Sequence, residues 1–166
     1  MNEKSSIEYC RNLVRTRDYN RYLLSFFVPR GGRANLLSIL ALNVELQSIP
    51  SKTTEPMAAL VRIQWWRDEI TKIYDGVIVE TSPILISLTE TINRCKIPKD
   101  NFETLLLCYD DIIRGTPRDP DDALYDLLSG TLLSLKVRNR FSKKLQLHDS
   151  LDGDTRFRAL RLWVGF

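Results

Sequence analysis

The 166-residue chain has one histidine, three cysteines and no apolar run near the roughly 20 residues that span a bilayer. Each scarcity excludes something. His148 lies in a polar segment with no Cys or His at ligand spacing, which argues against a zinc site or a histidine acid/base centre. Cys10, Cys95 and Cys108 are odd in number and far apart, so they read as free, mostly buried thiols of a reducing compartment. The opening MNEKSSIEYC carries acidic residues and no apolar run, which is unlike a signal peptide or an Arg-rich transit segment. The expectation is a cytoplasmic protein, peripheral to a membrane at most. Gly31-Gly32 lacks the lysine and serine of a phosphate-binding loop, and no nucleophile elbow occurs. A net charge of +3 without a groove-reading motif does not point to nucleic acid.

What the sequence does have is helical periodicity. The most distinctive run is 61–76, VRIQWWRDEITKIYDG, in which Val61, Trp65, Ile70, Ile73 and Tyr74 form an apolar stripe. Arg62, Arg67, Asp68, Glu69 and Lys72 supply its polar remainder, and Gly76 is a C-terminal stop. Trp66 borders the stripe, so at least one tryptophan of the pair is expected to be largely buried as a core anchor.

Around this helix the chain predicts several others. A capping box at Ser5 and Glu8 opens the first, which runs to about Thr16, and Asp18 caps a second over 19–27. PRGGR, 29–33, reads as a loop, after which 33–49 is a helix stopped by Pro50. Ser82 before Pro83 caps a fifth helix, which ends before Pro98. Asp100 and Glu103 form a capping box for a sixth, closed by Gly115. Asp119 and Pro120 start a seventh, with Asp121 and Asp122 at its positive end and Leu124, Leu127, Leu128, Thr131, Leu132 and Leu135 on its core side. Asp154 or Thr155 caps a last helix reaching Phe166. The only strand-like piece, 77–79, is too short to found a sheet, so the fold class is all-α, in one domain.

Two acidic clusters and one basic run remain. Asp110 and Asp111 are adjacent on a helix and point in different directions, whereas a carboxylate site needs partners three or four residues apart. Asp119, Asp121 and Asp122 suit a helix start better than a metal. Lys136, Arg138, Arg140, Lys143, Lys144, Arg156, Arg158 and Arg161 form either a solvated face or a contact for anionic lipid headgroups.

The stretches RDYNRYLLSFFVPRGGRANLLSILALNVEL and EPMAALVRIQWWRDEITKIYDG resemble the squalene/phytoene synthase family. More narrowly, Asp18 to Leu23, the spacing to Arg33, and Asn43 and Glu45 leading to Glu55-Pro56 resemble the branch of the mitochondrial complex I assembly factor and its bacterial relatives. LSGTLLSL, 128–135, sits where the family has a small-residue helix start. The resemblance implies an isoprenoid-synthase-like helical bundle around a cavity, of which 1–166 is the N-terminal part. It makes Tyr22, Arg33, Gln64, Arg67, Asp68 and Asp111 candidate cavity or ligand-binding residues. Asp111 matches a family RxxDL aspartate whose arginine is here Cys108.

Catalytic members hold magnesium between two aspartate-rich helices, because carboxylates offset the charge of a departing diphosphate. Aligned on Pro29 and Arg33, Val44 stands at the arginine of the first motif, and Gln47, Ser48 and Ser51 stand at its aspartates. The second motif would begin beyond Leu162. The resemblance therefore implies a non-catalytic assembly factor or isoprenoid-lipid handler with no cofactor. Its partners would be a protein of respiratory complex assembly, and an isoprenoid lipid or an anionic membrane surface reached through the basic C-terminal region. The alternatives are a prenyltransferase joining prenyl diphosphates with magnesium, completed by a second polypeptide, or a truncated product.

Overall fold

The structure, a computed structural model, describes residues 3–28, 30–53, 55–116 and 118–134. Seven α-helices and one 3-10 turn, without a strand, make up these described residues. They are α1 (Glu3–Arg17), α2 (Tyr19–Leu24), the 3-10 turn Ser25–Phe27, α3 (Arg30–Lys52), α4 (Pro56–Tyr74), α5 (Pro83–Cys95), α6 (Lys99–Ile113) and α7 (Pro120–Ser134). The all-α expectation holds. The last helix, the basic run 136–161, His148 and Leu135 lie outside the described residues.

The bundle forms around α3, which packs against α1, α4, α5, α6 and α7. A helix enclosed from several sides must be apolar nearly all round, and Leu36, Leu37, Ile39, Leu40, Leu42, Leu46 and Ile49 are all almost fully buried. Each such side chain contributes roughly 1.5–3 kcal/mol of transfer free energy. The polar groups among them are satisfied. Asn35 Nδ2 donates to Cys95 Sγ, Ser38 Oγ and Ser87 Oγ share a hydrogen bond of 2.7 Å, and the Tyr109 hydroxyl donates to Asn43 Oδ1 at 2.8 Å. All three cysteines are free and buried, as expected from their spacing.

α3 is longer at both ends than the sequence suggests. It begins at Arg30, so Gly31 and Gly32 lie in its first turn and not in a loop; the amides of a first turn have no intrahelical partner in any case. It also runs through Pro50 to Lys52. Pro50 is exposed and within the last turn, where one missing amide donor does least damage. Ser48, Ser51 and Thr53 turn their hydroxyls back onto the carbonyls of Glu45, Ser48 and Ile49.

The caps divide similarly. Asp18 accepts from the Arg21 amide, Ser82 from the Ile84 amide and Asp119 from the Asp121 amide, as expected for helix starts. Gly76 and Gly115 adopt positive φ where α4 and α6 end. The two capping boxes are not formed. Ser5 lies inside α1, and Asp100 lies inside α6, whose N-cap is Pro98 without a side-chain bond. Glu103 instead faces α4, and an ion pair with that helix replaces the cap. The second helix changes to 3-10 geometry at Ser25, shortening α2 to Tyr19–Leu24.

The largest correction concerns α4. Its buried face is Ala59, Ile63, Trp66, Glu69, Ile70 and Ile73. Trp66 is 5% exposed, whereas Trp65 is 39% and Val61 66% exposed, so the stripe is turned by about one residue from the expected one. The spacing 59, 63, 66, 70, 73 alternates four and three and makes a tighter seam than one through Val61 and Trp65. α4 packs against α6, α3 and α5, and this packing decides which tryptophan is enclosed.

Candidate functional site

The six residues suggested by resemblance fall in three places. Tyr22 and Arg33 belong to the junction of α2, the 3-10 turn and α3. The Arg33 guanidinium donates from Nε to the Ser25 carbonyl at 3.1 Å and from a terminal nitrogen to the Phe26 carbonyl at 3.3 Å, and it stacks 4.6 Å from the Phe26 ring centre. The Ser25 carbonyl also accepts from the Val28 amide at 3.2 Å, and a cation is favourable at the negative end of such a turn. Tyr22 packs edge-on against Phe26, with ring centroids 5.2 Å apart. This pair holds the turn in place.

Gln64, Arg67 and Asp68 sit on α4, where Arg67 is the centre of a bridge to α6. Its Nε donates to Glu103 Oε2 and a terminal nitrogen donates to Asp110 Oδ2, both at 3.0 Å, while its other terminal nitrogen donates to Gln64 Oε1 at 2.8 Å. Gln64 passes the chain on by donating to Asp68 at 2.7 Å. A planar guanidinium with several fixed donors suits two carboxylates about two helical turns apart, which a lysine could not engage together. Asp111, the third place, faces the other way and pairs with Arg118 at 2.9 Å. Adjacent Asp110 and Asp111 therefore serve two different ion pairs, and neither is part of a carboxylate cluster.

A groove of about 310 Å³ opens elsewhere, lined by Tyr9, Glu45, Arg62, Trp65, Trp66, Ser82 and Ile84. None of the six candidate residues lines it. Its Tyr9 hydroxyl is held above the ordinary tyrosine value by burial and by Glu45, so it stays protonated and can only donate or accept a hydrogen bond. Glu45 itself pairs with Lys52.

A second polar cluster escaped the sequence reading. Arg21 joins α2 to α7 through Asp18 at 2.9 Å and Asp121 at 2.7 Å. Burial outweighs the pull of Arg21 and raises the Asp121 carboxyl above its ordinary range, and burial likewise raises the neighbouring Tyr109 hydroxyl. Glu69 escaped too, although its position on the repeat through Trp66 and Ile73 was a usable signal. The Cys10 thiol is pushed up to about 11, mainly by burial, and burial also raises Cys95 and Cys108. Thiols of this kind are poor nucleophiles near neutral pH.

The residues at the expected magnesium positions do not fit the ion. Val44 is buried and Gln47 and Ser51 are exposed, while the Ser48 and Ser51 hydroxyls are engaged with helix carbonyls. Magnesium takes anionic oxygens, and these four positions offer none; the neighbouring carboxylate, Glu45, pairs with Lys52. No group of three or more His, Cys, Asp or Glu side chains able to hold a metal occurs among the described residues. No helix among them is long and apolar enough to cross a membrane.

Comparison with known proteins gives one family and a consistent set of relatives. The family model described as squalene/phytoene synthase matches residues 14–127, more than half of the chain. The bovine protein named NADH dehydrogenase (ubiquinone) complex I, assembly factor 6, is 33% identical over 91 residues, covering 55% of this chain and 27% of its own length. The human protein of that name is 32% identical over the same shares, and a Drosophila melanogaster homolog is 32% identical over 97 residues, 29% of its length. The matched stretch thus spans little more than a quarter of these relatives. No solved structure matches the chain.

Proposed function

Since the chain belongs to the squalene/phytoene synthase family and has its all-α, isoprenoid-synthase-like character, we propose that it is a non-catalytic member of the assembly-factor type, acting through a protein partner in respiratory complex I assembly. The observation that carries this reading is on α3. The helix that would present the first magnesium cluster offers a buried valine, an amide and two hydroxyls turned onto its own backbone. Relatives named as complex I assembly factors support the choice of partner. The second contact in this reading is an isoprenoid lipid or an anionic membrane surface, supported by the basic sequence 136–161, with a cytoplasmic, peripheral location.

The test is genetic and chemical together. Deleting the gene in the organism that encodes it should lower assembled complex I on native gels, and the wild-type chain should restore it. Purified protein given farnesyl or geranylgeranyl diphosphate with magnesium should release no diphosphate. Unchanged complex I in the deletion, or magnesium-dependent diphosphate release, overturns the reading. The second result would favour the prenyltransferase alternative.

A further inference from the structure

We infer that the turn formed by α2 and the 3-10 segment is a membrane-docking surface for an anionic lipid bilayer. Its apolar side chains point outward. Tyr19, Leu23, Phe26 and Phe27 follow one another at helical spacing, and all four are exposed, Phe27 at 66%. Such a run of large apolar groups on one short helical turn is costly to leave in water and needs a cover.

The charge around it selects the cover. Residues 15–33 contain five arginines and a single acid, Asp18. Asp18 is already committed to Arg21, while Arg15, Arg17 and Arg30 are exposed and in no ion pair among the described residues. Chain geometry keeps these cations close. Arg17 is two residues from Tyr19 and Arg30 three from Phe27, which at roughly 3.3–3.6 Å per residue places their Cα atoms within about 7 and 11 Å of the patch. Aromatic rings flanked by these exposed cations match the headgroup boundary of an anionic bilayer, where rings settle among the upper acyl chains and arginines meet phosphates.

The site is also preformed. Arg33 clamps the carbonyls of Ser25 and Phe26 and stacks on the Phe26 ring, and Tyr22 supports the same ring from the side. Little ordering is left to lose on docking. This contact is separate from the basic C-terminal run and does not depend on the assembly-factor reading, because it is measured with lipid alone.

The experiment is co-sedimentation of the full chain with vesicles of phosphatidylcholine, with and without phosphatidylglycerol, at two salt concentrations. The chain should bind the anionic vesicles, and bind them less at high salt. The double variant Phe26→Ser/Phe27→Ser should weaken this by about tenfold or more. Arg17→Gln and Arg30→Gln should each weaken it by about fivefold. Ile78→Ser, at another exposed apolar residue, should change nothing. Melting curves establish that each variant is folded, and if the double variant is not, the arginine variants carry the test. Binding that survives both sets of substitutions, that ignores phosphatidylglycerol, or that is abolished by neutralising Arg156, Arg158 and Arg161 alone overturns the inference. So does an absence of vesicle binding, including the case in which these variants lose a protein partner instead.

Discussion

The two faces of α4 carry one tryptophan each, and they differ in almost every physical respect. The inner face sets Ala59, Ile63, Trp66, Ile70 and Ile73 against the rest of the bundle. The outer face leaves Met57, Val61 and Trp65 to solvent, and the two tryptophans both border the groove. The rings of Trp65 and Trp66 still touch edge to face, with centroids 4.9 Å apart. Neighbours in sequence and in space, they are separated by about 100° of helix rotation, and the bundle encloses only one of them. Residue type does not decide a role on such a helix; the partner element does.

The sharpest way to break this comparison is to truncate each ring. Trp66→Ala should cost about 3–5 kcal/mol, enough to threaten a domain held together by roughly 5–15 kcal/mol. Trp65→Ala should cost about 1–2 kcal/mol, for partial burial and the loss of one aromatic pair. Urea titrations of the two variants check this directly. Equal losses would mean that the two faces are not distinct.

Between the faces runs the edge held by Arg67, the next largest effect. Arg67→Ala strips Glu103 and Asp110 of their shared partner and should cost about 1–3 kcal/mol. Arg67→Lys should recover less than half, because an ammonium cannot engage both carboxylates. Asp68→Ala, one residue further onto the outer face, should stay within about 0.5 kcal/mol. Were Arg67→Ala equally silent, the edge would belong to the outer face.

How far the sequence revealed these features follows from what each depends on. Elements set by local chemistry were legible: the Asp18, Ser82 and Asp119 starts, the Gly76 and Gly115 stops, and the all-α class. Elements that depend on a distant helix were not. Glu103 had the spacing of a capping residue, but Arg67 thirty-six positions earlier offered a charged partner, and the ion pair formed in place of the cap. The run from Leu36 to Val44 is apolar enough to hide its own orientation, so only packing showed that α3 is central and extends through Pro50. The candidate cavity residues rested on resemblance alone. The aromatic turn at Tyr19–Phe27 carried a local signal, one-sided charge beside exposed rings, that periodicity analysis assigns to an ordinary helix.

Where α4 ends, both faces share one residue. Gly76 has φ +76° with open space around the position of a Cβ, so Gly76→Ala isolates backbone strain from any clash. The expected cost is about 1 kcal/mol, read as a lowered melting temperature. No loss at all would show that the turn relaxes and that the loop to α5 does not depend on it.

The smallest effect tests whether the inner face is purely apolar. Glu69 is buried in the Trp66 seam, where it accepts from the Lys72 ammonium and from the Thr81 hydroxyl at 2.7 Å. The Lys72 hydrogen bond outweighs burial and, with Thr81, holds the Glu69 carboxyl below the ordinary glutamate value of about 4.3. A carboxyl whose folded pKa is depressed stabilises the fold above its unfolded pKa, and that share is lost as pH falls through the folded value. Because Lys72 is half exposed, the share should stay below about 1 kcal/mol. Glu69→Gln keeps the shape and removes the charge, so its deficit in urea midpoint should be present at pH 7 and shrink as the pH drops below about 4.3. A deficit that is flat with pH would assign the cost to altered hydrogen bonding at Thr81, and one that grows in acid would reverse the sign of the linkage. A deficit that vanishes in acid would mean that the α4 seam, apolar along its length, fastens the loop through Thr81 by charge at one point.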